Sequence, residues 1–255
     1  MLDDLRPSDY DTDPNSRYRD PVNLGTWSST SDVDKFLNKY NHDNGYRSAT
    51  NPLRLGDYVI IQDGTYNVQW VIAGFDMENN QTASDGTVYD NGYGICMVPQ
   101  VQLTSGKWNT SNTTGGYKSS YMHTTVLPDI VSKLQTIFGS HIVNRNVLLS
   151  SNVSGNNSNA YAWTTAYATL MSIGQMNGTF AANNTKYDDG EANYKLPIFD
   201  HEEFKIGSNF WVRNVRSSNY VGSGNTYAWF VNTSGNFDAK LVSESVGVRP
   251  LIYIR

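Results

Sequence analysis

The stretch NFWVRNVRSSNYVGSGNTYAWFVNTSGNFDAKLVSESVGVRPLIYIR, residues 209–255, decides the fold that the sequence predicts. Its apolar residues alternate in three short runs, at 210–215, 228–231 and 248–254, and this alternation is typical of β-strands. Asn, Ser and Gly separate the runs, and Tyr and Trp lie among them. These residue types are frequent in binding surfaces. The stretch therefore predicts a cluster of short strands that carries a candidate binding surface.

The composition of the whole chain favours a β-rich protein with long loops. Its 255 residues are enough for one large domain, and only 17% of them are charged. Asn, Ser, Thr, Gly and 17 Tyr fill the difference, which is typical of extracellular or particle-surface proteins rather than of helical enzymes. A formal net charge of -5 gives no electrostatic attraction for nucleic acid, so no nucleic-acid partner is expected.

The cysteine content and the first residues bear on where the protein is made. Cys96 is the single cysteine, so neither an intrachain disulfide nor a zinc site of several thiolates can form. This favours folding in a reducing cytoplasm, with Cys96 as a small buried residue. The first residues do not have the pattern of a signal peptide, and no apolar run approaches the roughly 20 residues of a membrane helix. We therefore expect no membrane insertion.

The order of patterns along the chain predicts an α+β fold. The predicted elements are an extended arm at 1–30, a helix at 31–40, a hairpin at 57–74 turning at Asp63-Gly64, strands at 92–98 and 142–150, and helices at 117–138 and 163–176. The arm is interpreted either as a disordered tail or as a segment that docks on a neighbouring subunit or scaffold. The predicted organisation is an arm with a short helix at 1–50 and a main domain at 51–255.

Three blocks of sequence resemble a family of C-type-lectin-fold proteins from phages and prophages of Gram-positive and gut bacteria. The blocks are LRLGDYVIIQDGTYNVQWVIAGFD at 53–76, GGYKSSYMHTTVLPDIVSKLQTIFGSHIVNRNVLLSS at 115–151, and the segments of 211–254 that end in GVRPLIYI. The resemblance implies a C-type-lectin-like domain with a β-hairpin, two helices and a C-terminal strand cluster. It also implies a virion component of the fibre, tail tip or head decoration, assembled in the host cytoplasm.

The ending is also similar to the variable regions of retroelement-diversified proteins. The similarity implies a framework, consisting of Trp211, Arg213, Ser217, Ser218, Val231, Asn232, Gly235, Gly247, Val248, Arg249 and Pro250. It implies display positions for ligand binding, namely Phe210, Asn214, Arg216, Asn219, Tyr220, Tyr227, Trp229, Asn236, Asp238, Lys240 and Glu244. Core positions remain an alternative for both Trp211 and Trp229. Arg249 is expected to hold the last strand through carbonyls or a carboxylate.

No motif in the sequence points to catalysis, a metal or a cofactor. Asp200-His201-Glu202-Glu203 has one His among carboxylates, which is not the spacing of a metal site, and we interpret it as a solvated turn. His123 and His141 have no partner motif, and neither a nucleophile elbow nor a phosphate loop occurs. The calcium-lectin tripeptides Glu-Pro-Asn, Gln-Pro-Asp and Trp-Asn-Asp are also absent. We expect a protein that is not an enzyme.

The expected function is adhesion from the surface of a phage particle. Many copies would bind a bacterial surface glycan or protein through the display positions, and the arm would contact other virion proteins such as the capsid, tail or fibre. A homo-oligomer is expected. The main alternative is a purely structural decoration or cement protein without ligand binding. A surface hydrolase is a third class, for which no residue pattern argues.

Overall fold

The computed structural model describes residues 20–42, 53–77, 81–82, 86–154, 157–178, 195–216 and 226–255, with only the backbone described at 81–82, 153–154 and 157–160. The strands in these ranges are β1 (Asn23–Trp27), β2 (Tyr58–Gln62), β3 (Asn67–Phe75), β4 (Gln81–Thr82), β5 (Val88–Tyr89), β6 (Ile95–Pro99), β7 (Thr104–Lys107), β8 (Arg145–Ser154), β9 (Asn157–Ala166), β10 (Ala168–Leu170), β11 (Phe210–Val215), β12 (Tyr227–Val231), β13 (Phe237–Leu241), β14 (Ser245–Val248) and β15 (Pro250–Ile254). The α-helices are α1 (Thr30–Lys39), α2 (Leu127–Phe138) and α3 (Ile173–Asn177).

Two sheets hold most of these strands. The first sheet has the order β1-β2-β3-β6-β15-β10, and the second has the order β13-β12-β11-β14-β7. The pairs β4-β5 and β8-β9 form two small sheets of their own. The fold is therefore α+β with mostly strands and few helices, as the sequence predicts. None of the helices in the described ranges combines the length and the apolar character needed to cross a membrane.

Helices α1 and α2 pack on the first sheet through an aromatic cluster. The ring of Trp27 in β1 lies 4.8 Å from Phe36 of α1 and 5.6 Å from Phe138 of α2, and Phe138 lies 6.0 Å from Trp70 of β3. All four rings are at most 5% exposed. Edge-to-face contacts of this kind add to the stabilisation that burial itself provides. The cluster joins the first described strand to the centre of the domain.

The local predictions along the first half of the chain are largely confirmed. α1 lies within one residue of the predicted range, and its capping box joins Ser29 and Asp32. Within the helix predicted at 117–138, the apolar residues spaced along one face are buried in α2, namely Ile130, Val131, Leu134, Ile137 and Phe138. The first part of that range is instead a 3-10 turn (Tyr117–Ser119) and a π-helical turn (Met122–Val126). Cys96 is buried in β6, as expected.

The hairpin between β2 and β3 is confirmed, whereas its predicted two-residue turn is wrong. Gln62 pairs with Asn67, so four residues form the loop. The carboxylate of Asp63 accepts hydrogen bonds from the backbone N–H of Thr65 (2.7 Å) and of Tyr66 (2.6 Å), and Gly64 has a φ of +83°. An Asp that bonds to the backbone two and three residues later closes a wider turn than the Asp-Gly pair alone indicates.

The helix predicted at 163–176 is wrong. Half of this range belongs to β9 and β10, and only the short helix α3 is helical there. β9 pairs along its length with β8, for example Trp163 with Leu148 and Thr164 with Val147. β-Branched and aromatic residues suit such a pairing, and the partner strand outweighs the helical spacing of Tyr167, Leu170 and Met171. As a consequence Tyr167 is 43% exposed rather than directed inward.

The predicted boundary between the arm and the main domain also needs correction. Strand β1 pairs in parallel with β2, and the carboxylate of buried Asp57 accepts hydrogen bonds from the N–H of Val22 and of Arg54, both at 3.1 Å. Residues 20–42 therefore share the core of the main domain. Residues 1–19, the rest of the predicted arm, lie outside the described residues.

We predict that Trp27→Ala lowers the free energy of unfolding by about 3 to 5 kcal/mol, because it removes the ring that contacts both helices. Val22→Ala, which changes a side chain 41% exposed next to the same strand, is the control and should stay within about 0.5 kcal/mol of wild type. Urea unfolding followed by fluorescence or circular dichroism measures both. Equal stabilities for Trp27→Ala and wild type would show that β1 is not part of the core.

Candidate functional site

The GVRP segment at 247–250 is the crossover between the two sheets. β14 of the second sheet ends at Val248, β15 of the first sheet begins at Pro250, and Arg249 lies between them without any exposed surface. Its Nε donates to the carbonyl of Pro99, and its Nη1 donates to the carbonyl of Phe204. Burial lowers the pKa of Arg249 to about 9, so the guanidinium stays charged at neutral pH. The expected structural role of Arg249 through carbonyls is confirmed.

Gly247 is required by the space around this crossover. A Cβ at this position would overlap the side-chain oxygen of Gln102 and the carbonyl of Asn209. No side chain larger than hydrogen fits while these neighbours stay in place. Gly247 is therefore required for steric reasons, whereas Arg249 is required for the hydrogen bonds that it donates.

Strand β11 carries further framework residues, and they are buried. The indole N–H of Trp211 donates to the carbonyl of Gly106 at 2.8 Å, and that of Trp108 donates to the carbonyl of Val212 at 3.0 Å. Arg213 is 1% exposed, and its backbone N–H donates to the carbonyl of Met171 at 3.0 Å. Trp211 therefore belongs to the core, and β11 is tied to its neighbours at each of these positions.

Phe210 and Asn214 are wrongly predicted as display positions. Phe210 is 0% exposed, and its ring centroid lies 5.1 Å from the guanidinium carbon of Arg249. Asn214 is 2% exposed, and its side-chain oxygen accepts a hydrogen bond of 2.7 Å from the N–H of Ile173 at the start of α3. Both residues lie on β11, the middle strand of the second sheet, and all six residues of this strand are buried.

The half-exposed aromatic residues of the predicted set lie together on one face of the β12-β13 hairpin. Tyr227 pairs with Leu241, and Trp229 pairs with Ala239, and residues directly opposite each other share a face of the sheet. Arg216, just after β11, places its guanidinium carbon 4.4 Å from the ring of Trp229 and donates its backbone N–H to the carbonyl of Tyr227 at 3.1 Å. We call Arg216, Tyr227, Trp229 and Leu241 the aromatic face.

The opposite face of the hairpin carries the charged display positions. Asp238 pairs with Phe230, and Lys240 pairs with Ala228, and both partners on β12 are buried. The ammonium of Lys240 lies 5.5 Å from the ring of Phe230 and 3.4 Å from the carboxylate of Glu244. Asp238 and Lys240 therefore lie on the face opposite Trp229, and Glu244 contacts Lys240. The predicted display positions do not form one continuous surface.

One further display position, Asn236, lies at an end of the hairpin. Asn236 is exposed in the turn between β12 and β13, where its N–H donates to the side-chain oxygen of Asn232 at 3.1 Å. Asn219 and Tyr220, together with the framework positions Ser217 and Ser218, lie outside the described residues. Sequence reasoning missed Leu241, which is 39% exposed on the aromatic face. Leu241 can be placed on this face only from its pairing with Tyr227. The sequence pattern of one strand does not reveal that pairing.

The structure also describes the segment from Asp200 to Glu203 and the possible metal ligands in the described ranges. Across the described ranges, no three His, Cys, Asp or Glu side chains are placed to hold a metal ion. The segment from Asp200 to Glu203 forms 3-10 turns, and the carboxylate of Asp200 accepts a 2.6 Å hydrogen bond from Lys195. This agrees with the prediction of a solvated turn.

His123 lies in the π-helical turn and is largely buried beside a cavity of about 150 Å³. Its Nδ1 has no hydrogen-bond partner among the described groups. Burial lowers the pKa of His123 to about 4, with further lowering by the charges of Arg213 and Lys118. The imidazole is therefore neutral at neutral pH.

Comparisons with protein-family models, curated proteins and solved structures find no match to this chain. The function of the chain is therefore inferred from its residues and from the geometry of the aromatic face.

We predict that acid destabilises the fold through His123. In the unfolded chain the imidazole binds a proton near its ordinary pKa of 6.5, whereas in the folded protein it does so only near 4. The unfolded state thus binds more protons between these values, and the free energy of unfolding falls by up to about 3 kcal/mol as the pH decreases from 6.5 to 4. The contribution is fully present above pH 6.5.

The measurement is urea unfolding across this pH range for wild type, His123→Leu and the control His201→Gln. His123→Leu should have the smaller decrease in stability towards acid, and His201→Gln should follow wild type. If His123→Leu and wild type lose the same stability between pH 6.5 and 4, another group is responsible.

Proposed function

We propose that this protein is a non-enzymatic structural component of a phage particle, and that its aromatic face adheres to the surface of a host cell. The observation that carries the proposal is the Arg216–Trp229 stack beside Tyr227. Tyr and Trp supply a large contact area at a low cost in conformational entropy, and Arg adds hydrogen-bond donors. Partial exposure of these rings on a sheet with a buried framework is the arrangement that a recognition surface needs.

We further propose that the domain is C-type-lectin-like. Three features support this: the α+β composition, the packing of α1 and α2 on one face of the first sheet, and the long excursion between β6 and β15. After β6 the chain forms β7 of the second sheet and then β10, which belongs to the first sheet. It next forms β11 to β14 of the second sheet and ends in β15, which pairs with both β6 and β10. The blocks of sequence that resemble the phage and prophage family contain β2, β3, α2 and residues of the strands β11 to β15.

Adhesion by this surface would be weak for one copy. The aromatic face offers a few half-exposed side chains around Trp229 rather than a deep pocket, and its one described cation is already stacked on a ring. A particle carrying many copies turns weak single contacts into firm attachment, because each further contact forms at a high effective concentration. The expected ligand is a bacterial surface glycan or protein.

A structural role in decoration or cementing is the alternative, and one observation favours it. β13 is an edge strand of the second sheet, and Leu241 on it is 39% exposed. An edge strand presents unpaired backbone groups that a neighbouring subunit can pair with. On this alternative the same hairpin would contact another copy or another particle protein instead of a cell.

We predict that the double variant Tyr227→Ala, Trp229→Ala lowers binding to host cells by about tenfold or more, which corresponds to at least about 1.4 kcal/mol. The matched control is Asp238→Ala, Lys240→Ala, which changes the opposite face of the same hairpin and should bind as wild type. Fluorescent beads coated with many copies of each protein, counted on cells, measure the effect. Thermal unfolding of each variant confirms that the fold is kept.

Equal binding by wild type and the Tyr227→Ala, Trp229→Ala variant would contradict adhesion through the aromatic face. The decoration alternative has a different signature. Its expected results are no cell binding by wild-type beads, together with loss of self-association or of binding to purified particles in the Tyr227→Ala, Trp229→Ala variant.

We also predict that the protein without residues 1–19 keeps a folded domain, because β1 to β15 remain. It should no longer enter particles, because it lacks the segment proposed to contact other particle proteins. Removing residues 1–28 should in addition destabilise the domain, since β1 and Trp27 are lost. Urea unfolding and immunoblots of purified particles measure the two effects. Normal incorporation of the protein lacking residues 1–19 would contradict the proposed contact with other particle proteins.

A further inference from the structure

A cavity of about 460 Å³ lies at one end of the first sheet, away from the second sheet. The C-terminal end of α1, the segment before β6 and the end of β15 surround it. None of its lining residues belongs to β11, β12, β13 or β14. It is therefore a site separate from the aromatic face.

The floor of the cavity is apolar and its wall is aromatic. Ile95 and Ile254, paired across β6 and β15, are at most 1% exposed and close the bottom. Tyr93 stands at the rim with 49% of its surface exposed, and its ring stacks at 3.7 Å on the ring of His42. This stack holds the tyrosine ring in place while leaving it open to a ligand.

The rim also carries two opposite charges that are not paired with each other. Among the described residues, the carboxylate of Asp90 accepts one hydrogen bond, of 2.8 Å from the N–H of Gly92 to Oδ1. The guanidinium of Arg255 donates one, of 3.3 Å from Nη1 to the carbonyl of Asn91. Oδ2 of Asp90 and the remaining N–H groups of Arg255 stay available, as acceptor and as donors, for a molecule in the cavity.

Hydrogen bonds hold the backbone beside Asp90 and at Arg255 in position before any ligand arrives. The side chain of Asn91 bonds to the backbone of Asn146 in both directions, at 2.7 Å and 3.0 Å. The backbone of Arg255 is held by His141, whose carbonyl accepts from its N–H at 3.2 Å and whose Nδ1 lies 2.9 Å from its carbonyl oxygen. Preorganised groups of this kind reduce the cost of binding.

We propose that this cavity binds a saccharide unit without net charge. A pyranose ring has apolar C–H groups that pack on an aromatic ring such as Tyr93, and hydroxyls that both donate and accept hydrogen bonds around its edge. Asp90 and Arg255 supply one acceptor and a set of donors, and their charges cancel. A purely anionic or cationic ligand would be repelled by one of the two groups.

The groups that surround the cavity also determine the affinity expected for a saccharide. Both charged groups are exposed, so their interactions with hydroxyls are screened by water, and most of the affinity comes from packing on Tyr93 and the floor. For a monosaccharide we expect a dissociation constant of about 1 to 10 mM. Binding in this range is measurable by ligand-detected NMR on the purified chain.

The experiment uses glucose, galactose and N-acetylglucosamine as probes in saturation-transfer NMR. Wild type should transfer saturation to at least one of them. Tyr93→Ala should weaken its binding by about tenfold, and Asp90→Ala, which removes a screened interaction, by about threefold. The control Tyr121→Ala changes another exposed tyrosine, which does not line the cavity, and should bind as wild type. Asp90 is exposed, so Asp90→Ala keeps the test valid if Tyr93→Ala fails to fold.

Three results would overturn the proposal. They are the absence of transfer to all three sugars at 10-fold the expected dissociation constant (about 100 mM), binding that Tyr93→Ala and Asp90→Ala both leave unchanged, and binding of the zwitterion leucine or of inorganic phosphate in place of sugars. The outcome is independent of the proposed adhesion, because Tyr227→Ala, Trp229→Ala should retain sugar binding in this assay whether or not it loses cell binding.

Discussion

The buried guanidinium of Arg249 is the interaction on which the arrangement of the two sheets depends. Arg249 is the single residue between β14 and β15. Its guanidinium donates to the carbonyl of Pro99 at the end of β6 and to the carbonyl of Phe204 in the 3-10 turn Glu202–Phe204. Leaving a buried carbonyl without its donor costs about 1 to 3 kcal/mol. A neutral side chain of similar size would leave two such carbonyls, so the crossover needs a donor with two separated N–H groups.

The same crossover explains why the end of the chain serves both sheets. β15 lies between β6 and β10 in the interior of the first sheet, while β14 lies beside β11 in the second. The rings of Phe199 and Phe210 lie 5.9 Å and 5.1 Å from the Arg249 guanidinium carbon. The cation therefore also packs between the 3-10 turn Pro197–Asp200 and β11. Phe210 is therefore a support for the crossover, and this physical role is incompatible with display.

Sequence reasoning succeeded where the determining contacts are local. The apolar spacing of α1, the stripe of α2 and the β2-β3 hairpin are all specified by residues close together in the chain. It failed where the partner is distant or the register decides. β9 is a strand because β8 pairs with it, and β1 belongs to the core because β2 and Asp57 hold it. For the candidate site, the sequence does not show on which face Trp229 and Asp238 lie, and only the pairing of β12 with β13 places them on opposite faces.

The second sheet separates the residues that stabilise the fold from those that could vary. The face of β12 that carries Ala228 and Phe230 is buried, with Phe230 at 6.2 Å from the ring of Trp211. Tyr227 and Trp229 alternate with them and project from the other face. Because the pairing of β12 with β11 and β13 uses the backbone alone, a change of side chain on the aromatic face leaves the ladder intact. A recognition surface built in this way can change its ligand while Trp211, Gly247 and Arg249 keep the scaffold constant.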